Sequence, residues 1–485
     1  MLKKVLAVDD RGATRPLKPE SVFLPATLLS EPLASASVIG QFPWDPFPPS
    51  GEPDPRGPDP IQAIAFRAAV TSADAYRSVR LALRRESGTL RVGNRFVTDG
   101  RYRQVAFVAF GNAANSMALA ALHAVGDRLT QGFLAGPEPV AHEIPFRGTV
   151  VSPGWGGAPE AGALVAATAE LAGGLSEQDL LLVLLSGGAI RALALPPNSM
   201  SEEEFGGLLR EAHARGATGA EVALLVRVLA GGGVGGRFTG VASQADVATL
   251  IVDRGDGPAR LGGGPMHPVR PVEREACRAV LGRVGLTDAL PPADREALAP
   301  GAEVPSARPE WVARPVVVAG PSDALRAAAD AVFDKGWTSR LAHLSLTEPP
   351  LPAADRFMAR AEELVVAEGL TVESRTKGLG AFAMTTLGLP EGVDEGPAFG
   401  EFLTRAQVDL RRREMSVGLF RTAGSIGSAD YPAGAVIGKP TERDTAVRPD
   451  RARAVPMRRG ITDVGMLAVA LVPTPEPTSP GRARA

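Results

Sequence analysis

Cysteine is almost missing from this chain: Cys277 is the single one in 485 residues. That excludes an intramolecular disulfide framework and any metal site built on cysteines. Lysine is nearly as rare. Six lysines stand among 52 basic residues, and none lies between Lys18 and Lys335. Across that interval any anion must be met by arginine, a planar fork rather than a compact point charge. Aromatic residues make up 5% of the chain, so leucine, valine and alanine must fill the core. No segment reaches the roughly 20 apolar residues of a membrane span, and the apolar run in "MLKKVLAVDD" meets Asp9 and Asp10 too soon for a secretory leader. A cytoplasmic location is expected. The formal charge of −2 offers no field for nucleic acid or an anionic membrane, and neither is expected as a partner.

What remains is an ordinary globular composition, with 45% hydrophobic and 22% charged residues and room for two or three domains. Residues 42–60, "FPWDPFPPSGEPDPRGPDP", are dense in proline and read as a linker or covering arm. Strand and helix patterns then alternate. "QVAFVAFG" reads as a strand leading into the helix "NAANSMALAALHAVGDRL", and "DLLLVLLSGG" as a strand buried on both faces. "SEEEFGGLLREAHARG" and "GAEVALLVRVLAGGG" read as helices, and "ATLIVDRGDG" as a further strand. Such alternation predicts a doubly wound, mainly parallel α/β sheet of Rossmann-like type, with a second α/β domain behind it. The expected divisions are an N-terminal extension over 1–58, a first domain over 59–300, a second over 301–473 and a disordered tail over 474–485. Cys277, in "EREACRAV", reads as a small semi-buried helix residue.

Ligands of such sheets bind beyond the strand C-termini, where glycines 111, 187 and 255 fall. Gly111 ends a strand, and Asn112 either opens helix amides to an anion or acts as a plain N-cap. Ser186, Gly187 and Gly188 fit both a phosphate loop and a tight strand-to-helix turn. Gly231, Gly233 and Gly236 match G-x-G-x-x-G, which raises a nicotinamide-dependent reductase as one reading and a flexible turn as another. Asp253 and Asp256 fit Mg²⁺ ligation, and equally a glycine-rich turn held by its own aspartates.

Taken in order, these segments resemble the type 2 glycerate kinases, which join a glycerate kinase N-terminal domain to a C-terminal MOFRL domain and have often been called hydroxypyruvate reductases. "QVAFVAFGNAANSMA" looks like the family's strand–Gly–Lys–Ala–Ala helix start. "GLSEQDLLLVLLSGGAIRALALPP" is similar to its strand ending Ser-Gly-Gly-Gly-Ser, and "LLREAHARGATGAEVALLVRVLAGGGVGGRF" to its Val-Arg and Lys-Gly-Gly segment. "ATLIVDRGDGPARLGGGP" resembles its Ser-Asp-x-x-Gly-Asp turn, and "MRRGITDVGMLAVALVP" its closing MOFRL strand. The resemblance implies ATP- and Mg²⁺-dependent phosphorylation of the 2-hydroxyl of glycerate or a similar hydroxy acid. It implies Asn112, Arg227 and Asp253 in catalytic positions and Gly111, Ser186, Gly187, Gly188, Gly235 and Gly236 around the nucleotide. Asp253 and Asp256 would hold the metal.

The departures are specific. The family's two lysines fall on Asn112 and Val234, the second half of the serine–glycine loop becomes Ala189 and Ile190, and the serine before the first aspartate is Val252. In the C-terminal region "QVDLRRRE" stands roughly where Gly-Gly-Arg-Asn-Gln-Glu is expected, and Ser425-Ile426-Gly427 replaces Thr-Asp-Gly. Arg227, Arg191, Arg237 and Arg254 are the cations left to supply charge. A catalytically inactive relative, acting as a binding or regulatory module, is the alternative.

Overall fold

A computed structural model describes residues 6–8, 14–16, 60–136, 150–151, 158–238, 244–253, 255, 264–300, 315–346, 348–367, 379–385, 398, 401–402, 405–406, 416–421 and 466–472. These fall into two compact units, one from the described residues of Met1–Trp44 and Ala75–Val318, the other from those of Asp45–Asp74 and Ala319–Ala485. A short antiparallel pair, β1 (Leu6–Val8) and β2 (Thr14–Pro16), comes first. Helix α1 (Pro60–Ser72) belongs to the second unit, although its sequence position groups it with the first domain.

The first unit proper begins at α2 (Ala75–Ala82) and an antiparallel three-stranded sheet, β3 (Leu83–Glu86), β4 (Thr89–Val92) and β5 (Arg95–Thr98). The segment "TLRVGNRFV" forms a hairpin of β4 and β5 that turns at Gly93, whose φ is 60°. The chain then runs through β6 (Gln104–Phe110), α3 (Ala114–Val125), β7 (Leu129–Ala135), β8 (Val150–Val151), α4 (Ala158–Gly173) and β9 (Asp179–Leu185). Beyond these lie α5 (Ile190–Leu193), β10 (Ala194–Leu195), α6 (Glu202–Ala214), α7 (Gly219–Leu229), β11 (Gly231–Gly232) and β12 (Asp246–Val252). Helices α8 (Pro271–Arg283) and α9 (Pro292–Ala297) and strand β13 (Val316–Ala319) complete it.

The main sheet has six strands in the order β13-β12-β9-β6-β7-β8. Pairings β12/β9, β9/β6, β6/β7 and β7/β8 are all parallel. All seven residues of β9 are buried, as expected of a parallel strand covered on both faces. Counted in chain order, the strands read 3-2-1-4-5-6 from the β8 edge, so the order reverses between β6 and β9. A crevice beyond the C-terminal ends at such a reversal is the standard ligand position. Helices α6 and α7 each start on a capping box, Ser201 with Glu204 and Thr218 with Glu221. Their apolar faces join the core that also buries Cys277, whose thiol burial pushes up to about 12, an inert core residue.

The opposite edge of the sheet is closed by acids with partners. Asp179, at the start of β9, is fully buried and takes a two-pronged contact from Arg103 at 3.1 and 2.9 Å, plus the Ser176 amide and hydroxyl. Asp246, at the start of β12, accepts from Tyr102 and Arg95. Burial pushes the Tyr102 hydroxyl up to about 12, reinforced by its bond to Asp246.

The second unit carries a four-stranded sheet in the order β14 (Thr338–Leu346), β15 (Leu379–Thr385), β17 (Met466–Val472), β16 (Ser416–Arg421). β14 and β15 are parallel, while β17 is antiparallel to both its neighbours. The closing strand of the sequence therefore sits inside this sheet. Helix α10 (Pro321–Phe333) packs on β14 and on α1, and α11 (Pro350–Ala367) packs on β14 and β15.

Asp179 yields a test. Burial alone would raise its pKa, but the bonds from Arg103 and Ser176 hold it at about 2. Because the folded pKa lies below the unfolded one, its stabilising effect is full above the unfolded value, near pH 4, and is lost as pH falls through the folded value. Urea unfolding of the wild type should lose about 2 kcal/mol from this group between pH 5 and pH 2. Asp179→Asn should start lower at pH 5 and show a flatter acid dependence; equal slopes would refute the assignment.

Candidate functional site

At the reversal point the loops after β6 and β9 are sewn to each other. The Asn112 amide donates to the Gly187 carbonyl at 2.8 Å, and the Ala113 amide donates to Ser186 Oγ at 2.9 Å. The Ser186 amide donates to the Phe110 carbonyl at 3.0 Å, and the Gly111 amide to the Ala135 carbonyl at 3.0 Å. Gly111 has φ 114°, and a Cβ there would lie 2.4 Å from Ser186 Oγ and 2.5 Å from the Ser186 carbonyl. Only glycine lets the loops approach this closely.

This arrangement decides the reading of Asn112 as a helix cap. The N-cap of α3 is Ala113, which has no capping side chain of its own. The Ser186 hydroxyl, 73 residues away in sequence and fully buried, takes that acceptor role instead. Asn112 is itself 2% exposed. The amides of residues 111–113 all have protein acceptors. In the second loop, by contrast, the buried amides of Gly187 and Gly188 have no acceptor among the described residues, and Gly188 adopts φ 82°. Ile190 faces the hydrophobic core at 8% exposure.

The third glycine segment does not follow a sheet strand. Gly231 comes directly after α7 and its C-cap Ala230, and Gly231–Gly232 pairs with β10 outside the main sheet. The dinucleotide reading of G-x-G-x-x-G is therefore corrected, since that motif needs a strand before it and a helix after. Gly235 and Gly236 have φ 63° and 82°; Gly235 presses on the Arg227 carbonyl and the Val269 side chain, Gly236 on the backbone of His267 and Pro268. A Cβ on Gly236 would sit 2.5 Å from Pro268 Cα, and its amide donates to the Gly264 carbonyl at 3.0 Å. Val234 is fully buried. The segment returns to the C-terminal edge of the sheet through Phe238, whose ring meets that of Phe110 edge-on at 6.5 Å.

Arg227, on α7, lies beneath this turn at 2% exposure. Its guanidinium contacts Glu273 at 3.1 and 3.3 Å and donates to the carbonyls of Gly264 and Pro268 at 3.2 and 3.1 Å. Burial works against the Glu273 charge, but Arg227 and the Arg270 amide outweigh it and hold that carboxyl below its usual range. The pair clamps the 264–268 loop to α7 and the start of α8. No sequence signal joins residues 46 positions apart in this way.

Asp253 follows β12 and is half-buried, with Oδ1 accepting the Gly255 amide at 3.1 Å. That is the self-bonded aspartate turn expected of such a loop. Asp256 and Arg254 lie outside the described residues, as does the side chain of Arg191.

Two substitutions test these roles without any ligand. Ser186→Ala should cost about 1–3 kcal/mol in urea unfolding, the price of leaving the buried Ala113 amide unpaired; an unchanged midpoint would mean that the hydroxyl does not cap α3. Arg227→Met strands a buried carboxylate and should cost about 3 kcal/mol or more. Adding Glu273→Leu to it should restore part of that loss, and a double variant no better than the single one would count against the clamp.

Residues 62–299 match a family described as a domain of unknown function, DUF4147. The glycerate kinase of Danio rerio is 32% identical over 254 residues, covering 48% of this chain and 49% of its own length. That of Bos taurus is 32% identical over 243 residues, covering 45% and 44%. A putative hydroxypyruvate reductase of Agrobacterium vitis is 31% identical over 209 residues, covering 42% and 44%. The chain spans about half the length of the curated relatives it matches. Among solved structures, glycerate kinase from Thermotoga maritima superposes with a TM-score of 0.62 at 20% identity, over 85% of this chain and 98% of that one. A protein from Pyrococcus horikoshii gives 0.61 at 17% identity, with the same coverage of 85% and 98%. These two likenesses show the fold, and the sequence matches make residues 62–299 similar to DUF4147 and much of the chain similar to glycerate kinases.

Proposed function

We propose that the chain is a glycerate 2-kinase-type phosphotransferase, moving the terminal phosphate of ATP to the 2-hydroxyl of glycerate or a similar small hydroxy acid. The observation that carries this reading is the pair of buried Gly187 and Gly188 amides at the strand-order reversal, without acceptors among the described residues. Buried N–H groups are almost always paired, and a phosphate oxygen seated there would supply the missing acceptor. Gly111 and Ser186 hold this cradle in shape, and the Asn112 amide ties its two halves. Arg227 acts one layer further out, fixing the loop that backs Gly236.

A divalent cation fits at Asp253 as one carboxylate at a strand C-terminus, with Asp256 as its expected companion. Mg²⁺ is commonly held by one or two carboxylates and by phosphate oxygens rather than by a protein cage. When bound, the ion neutralises charge on the phosphoryl group being moved. The unit built on β14–β17 is read as the MOFRL domain. A non-catalytic nucleotide-binding or regulatory module is the second reading, favoured by the buried Val234 and by Asn112, both neutral where the resembled kinases carry lysine.

Thermal denaturation with Mg²⁺-ATP, with and without glycerate, separates the two when paired with an assay for 2-phosphoglycerate. Saturation at 100 times Kd should stabilise the protein by about 2.7 kcal/mol, and the kinase reading requires product as well. Stabilisation by nucleotide without product selects the binding module. No stabilisation at millimolar nucleotide overturns both.

A further inference from the structure

The small sheet β3-β4-β5 has two outer strands of different character. β3 reads Leu83-Arg84-Arg85-Glu86, and charges at three of its four positions guard it against pairing with a further strand. β5 reads Arg95-Phe96-Val97-Thr98. Its only charge, Arg95, is spent on Asp246 and the Val247 carbonyl. Phe96 and Thr98 are exposed, Phe96 at 69%, and neither lysine, proline nor acid blunts this edge.

The register fixes which backbone groups face outward. Val92 and Arg95 flank a two-residue turn and so form a hydrogen-bonded pair, as do Leu90 and Val97 two positions on. The N–H and C=O of Phe96 and Thr98 therefore point away from β4, and β5 pairs with no other strand among the described residues. Leu83, Leu90 and Val92 bury one face of the sheet. On the solvent face Phe96 lies across from Arg91 and then Arg84, while Thr98 lies across from Thr89 and then Glu86. The Arg91 guanidinium sits over the Phe96 ring at 5.6 Å.

We propose that β5 is a homodimer seam, at which two copies of the chain join these strands antiparallel about a two-fold axis through Val97. Phe96 of each copy then exchanges both backbone hydrogen bonds with Thr98 of the other. The two Phe96 rings become diagonal neighbours within reach of each other, and Val97 meets its own copy on the inner face. Each row of side chains runs Arg84-Arg91-Phe96 on one copy and Thr98-Thr89-Glu86 on the other, so no like charges meet at the seam. A four-residue strand makes a short seam, at the low end of interface sizes, and the dimer is reversible. The contact does not depend on the kinase reading.

Sedimentation equilibrium of the full chain across micromolar concentrations tests it. The wild type should pass from monomer to dimer as concentration rises. Thr98→Pro removes an outward N–H at a residue whose φ of −58° and ψ of 134° already suit proline, so the monomer's melting temperature should be unchanged. Phe96→Lys places a charge on the edge. Each should raise the dimer dissociation constant at least tenfold, while Arg84→Gln, on the opposite strand, should match the wild type. Val97→Cys should cross-link to its own copy under mild oxidation, and Glu86→Cys should not. A wild type that stays monomeric at every concentration overturns the seam. So does a dimer equally tight in either edge variant, equal weakening by Arg84→Gln, or cross-linking at Glu86→Cys rather than Val97→Cys.

Discussion

The bonds between the loops after β6 and β9 are the constraint from which the candidate site follows. These two strands lie side by side because the strand order reverses between them, so no crossover helix covers the gap beyond their ends. The backbone there must find partners across the gap or remain unpaired. The first loop solves this inwardly: Gly111, Asn112 and Ala113 donate to Ala135, Gly187 and Ser186. Because Ser186 and Gly187 act as acceptors, the second loop's own Gly187 and Gly188 amides are left over. One loop becomes scaffold and its neighbour keeps donors.

A second buried contact sets the electrostatics. Arg227 is enclosed with Glu273, and such a pair is weak evidence for net stability because both charges lose their hydration. Its structural effect is plainer. Two hydrogen bonds from this guanidinium pin the 264–268 loop at the Gly264 and Pro268 carbonyls, two more hold Glu273, and Gly236 fits against that loop with no room for a Cβ. A lysine could not make this planar set of contacts. The scarcity of lysine across the first unit is therefore compatible with an ordered cation network, in which one arginine is architectural and another, Arg237, stays at the surface.

The sheet was legible in the sequence because its strands are buried on both faces, and "DLLLVLL" or "DVATLIV" admits few other readings once glycines and helical patterns flank it. The positions of the loops were legible for the same reason: glycines 111, 187 and 255 each follow such a strand. What each residue does inside those loops was not. Ser186 caps a helix whose N-cap lies 73 residues earlier, a relation that no local pattern carries, and it removes Asn112 from the capping role. Arg227 and Arg237 are both arginines near a glycine turn, and only packing distinguishes the enclosed one from the exposed one. The glycines at 231, 233 and 236 satisfied a motif whose meaning depends on the element before it, and that element is a helix. Helix α1, adjacent in sequence to the first unit, packs on α10 of the second; chain proximity was the misleading cue.

The two ends of the main sheet differ in how their polar groups are satisfied. At the N-terminal edge Asp179 and Asp246 meet Arg103, Arg95 and Tyr102, so charge and hydrogen-bonding capacity are balanced within the fold. At the C-terminal edge the Gly187 and Gly188 amides lack acceptors among the described residues. Buried N–H groups left over in this way are stabilised by an anion that arrives from solution, which is the chemistry of oxyanion recognition at a strand-order reversal.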